Sequence, residues 1–298
     1  MLQRREQYYK GLQREERERL FKRIRLELLA SQPSRPAPSK DAQQDILDSI
    51  DYFTTHQHHL DFTAINNYIC EFTGTFRPEL VRRLLHLVFT HFPDSPPALA
   101  CAANLLSALE NEAMLEFVDV EKGVKELLLV NEKEGARATW KPLIFLLYQL
   151  LRLTSNKTLF AALPDHYSWL LKPDHQFDLL SLLFLAEASA HRALLPPPEL
   201  VLNYLAKDIP YEQASEVGVF KLFEMVDNCL RYDQTGSLYQ SGSSWIERRL
   251  RERAFPLRLK PELVRLMTMM VRSLTSSSFI DFISKQRIFQ EINYLARF

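Results

Sequence analysis

Apolar residues recur every three or four positions along most of the chain after residue 41, which is the spacing of amphipathic helices. In DAQQDILDSIDYF, Ile46, Ile50 and Phe53 share one helical face, and Asp41 stands where an N-cap is expected. No two neighbouring segments alternate apolar and polar residues as a strand pair would. The pattern predicts an all-α chain of roughly a dozen helices.

Two segments are apolar nearly all round, KPLIFLLYQLLRL and FDLLSLLFLAEASAHRALL. This pattern is typical of helices surrounded by other helices, so both are predicted to be central. A third segment, NEAMLEFVDVEKGVKELLLV, is compatible with one long helix or with two short helices around Gly123. The loops between the helices are short and contain Pro or Ser. Such helices pair as hairpins, and the predicted architecture is an armadillo-like α-solenoid, a right-handed superhelix of hairpins.

The tetrapeptide PELV occurs three times, at residues 78–81, 198–201 and 261–264. Pro suits the first turn of a helix, where its missing N–H breaks no hydrogen bond. Glu in the same turn interacts favourably with the helix dipole, and Leu and Val begin the apolar face. The unequal distances between the copies do not define a tandem period. PELV therefore marks helix starts.

The first 30 residues are predicted to form a basic amphipathic helix. Residues 1–29 contain nine Lys or Arg and five Glu, a net charge of +4. Leu20, Phe21, Ile24 and Leu28 fall on one stripe of this helix. The segment has no apolar core of the kind a secretory signal needs, and its five Glu are unusual for a mitochondrial presequence. A charged surface helix with i,i+4 pairs such as Glu15–Arg19 is the favoured interpretation.

The three predicted parts of the chain are the basic helix of residues 1–30, a linker and a helical repeat domain. The linker, residues 31–41, contains three prolines among small polar residues and cannot continue a helix. The helical repeat domain is predicted to span residues 42–298.

Composition narrows the classes of function. The chain of 298 residues contains only 7 Gly, whereas hairpin turns and phosphate-binding loops depend on Gly. The formal net charge is zero, so any basic surface must be local. Three cysteines, an odd number, indicate no disulfide framework and favour a reducing compartment. No uncharged apolar run is long enough to span a bilayer, so membrane insertion is not expected.

No motif indicates catalysis. The chain has neither a nucleophile elbow nor a phosphate-binding loop, and no cofactor is predicted. The sequence THQHHLDF brings together His56, His58, His59 and Asp61, which resemble metal ligands in type. The cluster lies where a helix should end, a position that favours His for the helix dipole. We therefore predict no metal site, no catalytic residue and no enzyme activity.

The most basic stretch is WIERRLRERAFPLRLKPELVRLMTMMVR, near the C-terminus. Helical arginines beside an aromatic residue can follow a phosphate backbone and stack on a base. The same residues are equally compatible with an acidic protein partner or with a solvated helix face. The candidate contacts are Trp245, Arg248, Arg249, Arg251, Arg253, Arg258 and Lys260.

The stretch FDLLSLLFLAEASAHRALLPPPELVLNYLAKDI resembles one unit of the organellar helical repeats of the octatricopeptide and heptatricopeptide (FAST-kinase-like) families. The resemblance lies in a Leu- and Ala-rich helix, then LLPPPEL at residues 194–200, then a second amphipathic helix. Leu200 stands where octatricopeptide units often have Trp. The resemblance implies an octatricopeptide-like superhelix that binds RNA in an organelle, within RNA processing or ribosome assembly.

Two hypotheses of function follow from the sequence. The first is a non-enzymatic α-solenoid in a mitochondrial ribonucleoprotein complex, where it binds RNA through the basic residues near the C-terminus. The second is a protein-only scaffold or adaptor subunit that holds a partner helix or peptide in its groove. Both predict protein subunits of a larger complex as partners, and only the first predicts RNA. Cytoplasmic and nuclear locations remain the alternatives to the mitochondrion.

Overall fold

The structure, a computed structural model, describes the larger part of the chain and confirms that it is all-α. The described residues are 14–16, 18–24, 41–56, 60–109, 112–116, 118–134, 139–171, 179–201, 216–232, 246, 248–249, 251, 260–261, 263–266 and 268. Within them every regular element is a helix and no strand occurs.

The first helix, α1, is helical at residues 14–16 and 18–24. The α-helices that follow are α2 Ala42–His56, α3 Phe62–Glu71, α4 Pro78–His91, α5 Pro96–Ser107, α6 Val120–Glu134, α7 Trp140–Leu153, α8 Leu163–Leu170, α9 Leu179–Ser189 and α10 Glu216–Leu230. Short 3-10 turns lie at Glu112–Leu115, Lys157–Phe160 and Arg192–Leu194.

Helix starts follow the predicted chemistry. The carboxylate of Asp41 accepts a hydrogen bond of 3.2 Å from the backbone N–H of Gln44 and so caps α2. Helix α4 begins at Pro78, the first residue of the first PELV copy. Helical residues also begin at Pro198, in the second copy. The interpretation of PELV as a helix start is confirmed at both positions.

The segment around Gly123 breaks earlier than either alternative predicted. A 3-10 turn ends at Leu115, and α6 begins at Val120, so Gly123 lies in the first turn of α6. The carboxylate of Asp119 accepts a hydrogen bond of 3.1 Å from the backbone N–H of Lys122. An acidic cap at residue 119 therefore sets the start of α6, and Gly123 has a different role.

The chain divides into two compact units, residues 1–170 and residues 171–298. Composition does not mark this division, because apolar helices occur on both sides of it. The repeat domain expected from residue 42 to residue 298 stays a prediction, since compactness does not measure repeat content.

In the first unit, most helices pack against the helix two places further along the chain. Contacts join α2 to α4, α4 to α6 and α6 to α8, and a second series joins α3 to α5 and α5 to α7. Helix α7 is buried along almost its whole length, as its apolar sequence predicts. A buried hydrogen bond of 2.8 Å from Asn104 to Asn66 ties α5 to α3.

In the second unit, α9 packs against α10. Helix α9 is buried on nearly every side, so the prediction of a central helix is confirmed there as well. The amide of Asn228 on α10 donates a hydrogen bond of 3.2 Å to the hydroxyl of Ser189 at the end of α9.

Candidate functional site

The predicted basic contacts near the C-terminus differ in exposure. Arg248 and Arg251 are exposed and helical, whereas the neighbouring Arg249 is only 6% exposed. Lys260 is helical and half-buried. Three members of the set, Trp245, Arg253 and Arg258, lie outside the described residues. In the part of this surface that the structure describes, Arg248 and Arg251 are therefore the exposed members of the predicted set.

One arginine of the same basic stretch is engaged inside the second unit. Arg265 lies 3.0 Å from the carboxylate of Asp227, which is also 3.2 Å from Arg231. The Asp227 side chain is 8% exposed, so the two guanidinium groups neutralise a buried carboxylate. Removing the partners of a buried charge is strongly destabilising. We therefore assign Arg265 to the fold and not to a ligand surface.

The polar cluster around residue 60 also contributes to helix ends. Helix α2 ends at His56, and the carboxylate of Asp61 accepts hydrogen bonds from the backbone N–H groups of Thr63 and Ala64 at 3.0 and 3.1 Å. Asp61 thus caps α3. His58 and His59 lie outside the described residues.

Among the residues that the structure describes, no three His, Cys, Asp or Glu side chains are grouped as metal ligands would be. In the same part of the chain, no helix is both long enough and apolar enough to cross a membrane.

A groove between α4 and α6 is a surface feature that the sequence did not predict. It encloses about 320 Å³. We call it the α4–α6 groove. Its lining includes four residues of α4 and four at the start of α6, namely Arg82, Arg83, His86, Phe89, Asp119, Lys122, Gly123 and Glu126. It lies within the first unit, between two helices that pack directly against each other.

The floor of the α4–α6 groove depends on one glycine. The ring of Phe89 lies so close to Gly123 that a Cβ atom there would stand 2.1 Å from Phe89 Cδ2. No side chain fits at this position without moving the ring, so Gly123 lets Phe89 pack against the backbone of α6. Phe89 is buried, and the base of the groove is therefore apolar and closely packed.

The walls of the groove carry charges, and some of them are already neutralised. Arg83 contacts the carboxylates of Asp51 and, at 2.7 Å, Glu79. The hydrogen bond to Asp51, together with Glu79, raises the pKa of Arg83 above its ordinary value. Asp119 accepts the capping hydrogen bond at the start of α6. Arg83 is therefore neutralised, whereas Asp119 keeps its negative charge because the backbone N–H that it accepts from is neutral.

Four charged or titratable side chains in the lining make no such contact. All four are exposed, and none has an ion pair within the described part of the chain; they are Arg82, His86, Lys122 and Glu126. The hydroxyl of Thr90 donates a hydrogen bond of 2.7 Å to the backbone carbonyl of His86, one helical turn earlier on α4. Among the described residues, the unpaired charges of the lining are therefore two cations, Arg82 and Lys122, and two carboxylates, Asp119 and Glu126, beside an apolar floor.

A second surface of the first unit already holds a helix. Leu20 and Ile24 of α1 are buried, at 4% and 0% exposure. The ring of Phe21 lies 5.2 Å from that of Phe145 and 5.9 Å from that of Tyr148, both on α7. The opposite face of α1 carries exposed ion pairs, Arg14–Glu18 at 3.1 Å and Arg19–Glu15 at 3.8 Å. Three residues of the stripe predicted from sequence thus form the face that docks α1 onto the helical array, and the fourth, Leu28, lies outside the described residues.

Comparison with known proteins assigns no family to this arrangement. No family model, curated protein or solved structure matches the chain. The function is therefore inferred from the residues themselves.

Sequence reasoning missed the α4–α6 groove because its charged residues look like ordinary solvated helix positions. One signal was present. Gly123 stands inside a helical pattern, where Gly is unfavourable by about 1 kcal/mol relative to Ala. An isolated helical Gly with no capping role points to a close approach by another element, and here that element is Phe89.

Proposed function

We propose that the protein is a non-enzymatic scaffold or adaptor subunit, whose helices form an α-solenoid and bind a segment of a protein partner. The observation that carries this proposal is the docking of α1. An amphipathic helix lies on the array through Leu20, Phe21 and Ile24, with its charged face outward. Binding of a partner helix by a helical scaffold uses the same physics.

The solenoid is part of the proposal. Contacts between each helix and the second helix along, in two interleaved series, are what stacked helical hairpins produce. In such a stack each hairpin presents one helix on each side, and grooves form between successive helices of one series. The α4–α6 groove lies between two helices of this kind.

RNA binding in a mitochondrial ribonucleoprotein, as the octatricopeptide resemblance implies, is the second candidate. It is favoured by the exposure of the helical residues Arg248 and Arg251. It is weakened by the burial of Arg249 and by the ion pair of Arg265 with Asp227. RNA binding would fall steeply with salt because each phosphate contact releases counterions.

The test is an affinity purification of the full chain from native cells, split into samples with and without ribonuclease. The scaffold proposal expects a defined set of proteins that survives the nuclease. It is overturned if every co-purifying protein is lost with the RNA. In that case Arg248→Ala/Arg251→Ala becomes the variant to examine, and it should reduce RNA cross-linking and the salt dependence together.

A further inference from the structure

We infer that α1 is a regulatory helix, which occupies the site on α7 where an amphipathic helix of a protein partner binds and which that partner displaces. This inference rests on the proposed scaffold function and adds how its binding site is controlled. Three observations carry it: the contact between α1 and α7, the support that α7 receives from other helices, and the way in which α1 is attached to the chain.

The contact between α1 and α7 has the form of a bound helical ligand. Phe145 and Tyr148 are three residues apart and share one face of α7, which we call the α1 site. The ring of Phe21 lies against both, and Leu20 and Ile24 of the same stripe are buried. Apolar anchors at helical spacing are how a scaffold recognises an amphipathic helix. The partner that fits is therefore a helix with an aromatic residue between aliphatic ones and a charged opposite face.

Other helices hold the α1 site in place. Helix α7 packs against α5 and α6. The guanidinium of Arg152, near the end of α7, donates a hydrogen bond of 3.0 Å to the backbone carbonyl of Leu109, and the indole N–H of Trp140 at its start donates to that of Leu170. Departure of α1 would therefore leave α7 in position and uncover an apolar face. Uncovered apolar surface of this kind is a site for another protein segment.

The ion pairs described above for α1 are internal to the helix. Arg14 pairs with Glu18 and Arg19 pairs with Glu15, each pair spanning one helical turn. Release of α1 leaves both pairs intact, so neither pair opposes it. The same charged face keeps the released helix compatible with water.

A tether keeps α1 near its site. Residues 25–40 separate the described part of α1 from the cap of α2 and include Pro33, Pro36 and Pro38. A chain of this length reaches about 50 Å when extended, so α1 can leave its site and stay attached. A flexible tether of this kind gives an effective concentration of about a millimolar. A free helix with the same contacts therefore competes poorly, and a partner needs tighter or additional contacts to displace α1.

The experiment measures whether α1 blocks its own site. The probe is a fluorescent peptide of residues 13–28, titrated into the full chain. Leu20→Asp/Ile24→Asp places two carboxylates in the buried stripe and should release α1, so this chain should bind the peptide at least about tenfold more tightly than the wild-type chain does. The control chain, Arg19→Ala on the exposed face, should bind it as the wild type does. The control peptide carries Phe21→Asp and should not bind.

A second version needs no substitution in α1. A specific protease site replaces residues 33–38, and the linker is cut in the folded protein. Cutting removes the tether, so α1 should dissociate on dilution and the affinity for the peptide should rise by a similar factor. This version decides the question if Leu20→Asp/Ile24→Asp does not fold.

Several results would overturn the inference. They are equal affinity of the wild-type and released chains for the peptide, a folded released chain that does not bind it, binding of the Phe21→Asp peptide, or a wild-type dimer that exchanges α1 between copies. Partners that the released chain captures from native cells should be eluted by the peptide of residues 13–28. The scaffold proposal fails if all protein partners are lost with ribonuclease. If partners survive the nuclease but the peptide does not elute them, the inference about α1 alone fails.

Discussion

The ring of Phe21 lies 5.2 Å from the ring of Phe145, with an angle of 60° between their planes. Tilted pairs at this distance are favourable for aromatic rings because the edge of one ring meets the face of the other. The contact joins the N-terminal helix to the most buried helix of the first unit. A segment that the sequence presents mainly as charged is thus part of a packed structure.

The docking of α1 predicts an asymmetric response to substitution. Ile24→Ala removes a fully buried side chain and should destabilise the docked state by about 2–4 kcal/mol, within the range for buried Ile. Arg19→Ala, on the exposed face of α1, should change the stability of the docked state by less than about 1 kcal/mol. Hydrogen exchange of α1 and α7 measures the docking locally, and urea unfolding measures the whole unit. Equal effects of the two substitutions would show that α1 does not pack as described.

Two helical glycines give a matched pair of opposite predictions. Gly123→Ala places a Cβ atom 2.1 Å from Phe89 Cδ2, so the ring must move, and overpacking of this kind costs about 1–3 kcal/mol. At Gly218 on α10 the nearest atom to a new Cβ would be Leu179 Cδ1 at 3.6 Å, an ordinary contact. Gly218→Ala should therefore stabilise the protein by about 0.5–1 kcal/mol, through the higher helix propensity of Ala.

Thermal or urea unfolding of the two variants checks the signs. Phe89→Leu in combination with Gly123→Ala should recover part of the loss, since the smaller side chain leaves room for the new methyl group. If Gly123→Ala is as stable as Gly218→Ala, the close packing of Phe89 on α6 is contradicted, and the proposed floor of the α4–α6 groove is contradicted as well.

The sequence was sufficient for features that depend on local chemistry. Apolar periodicity defined the helices, and Pro78 and Asp41 marked helix starts because a first-turn Pro and an N-cap carboxylate act within a few residues. The start of α6 near Gly123 could not be predicted from the apolar pattern, because it depends on the cap supplied by Asp119.

Relations between distant residues could not be obtained in this way. The pairs Asn104–Asn66 and Arg265–Asp227 join residues that are far apart in sequence, and nothing in either segment names its partner. The basic stretch near the C-terminus was recognised as a run of charge, but its separation into exposed Arg248 and buried Arg249 requires the packing around that helix. Single-sequence patterns report the faces of helices and not which faces meet.

The three cysteines should react with alkylating reagents at very different rates. Cys70 is half-buried, whereas Cys101 and Cys229 are buried. Burial also raises the pKa of the Cys101 thiol well above its ordinary value, so the reactive thiolate is scarce there. Pulse labelling with iodoacetamide and mass spectrometry should modify Cys70 first, and the other two only in urea. The Cys70→Ser variant should remain almost unlabelled in the absence of urea. Rapid native labelling of Cys101 would contradict the packing of α5.

Acid should weaken the first unit through two carboxylates whose pKa values are lowered in the folded state. The hydrogen bond from Arg77 is the main cause at Asp41, and the backbone N–H and hydroxyl of Ser155 are the main causes at Glu112. A group with a lowered folded pKa binds its proton more readily in the unfolded chain. Its contribution to stability is therefore present above the ordinary carboxyl pKa of about 4 and is lost as the pH falls through the folded value.

The measurement is the urea midpoint of unfolding followed from neutral pH to about pH 3. Asp41→Asn and Glu112→Gln should each reduce stability at neutral pH and flatten its decline in acid, because the substituted side chain no longer gains a proton on unfolding. The control is Asp48→Asn, an exposed carboxylate of α2 whose one hydrogen bond among the described residues comes from the neutral amide of Gln44. This variant should show the same decline of the urea midpoint in acid as the wild-type protein. A slope unchanged in the first two variants would show that the contacts of Asp41 with Arg77 and of Glu112 with Ser155 do not hold the charged carboxylates in solution.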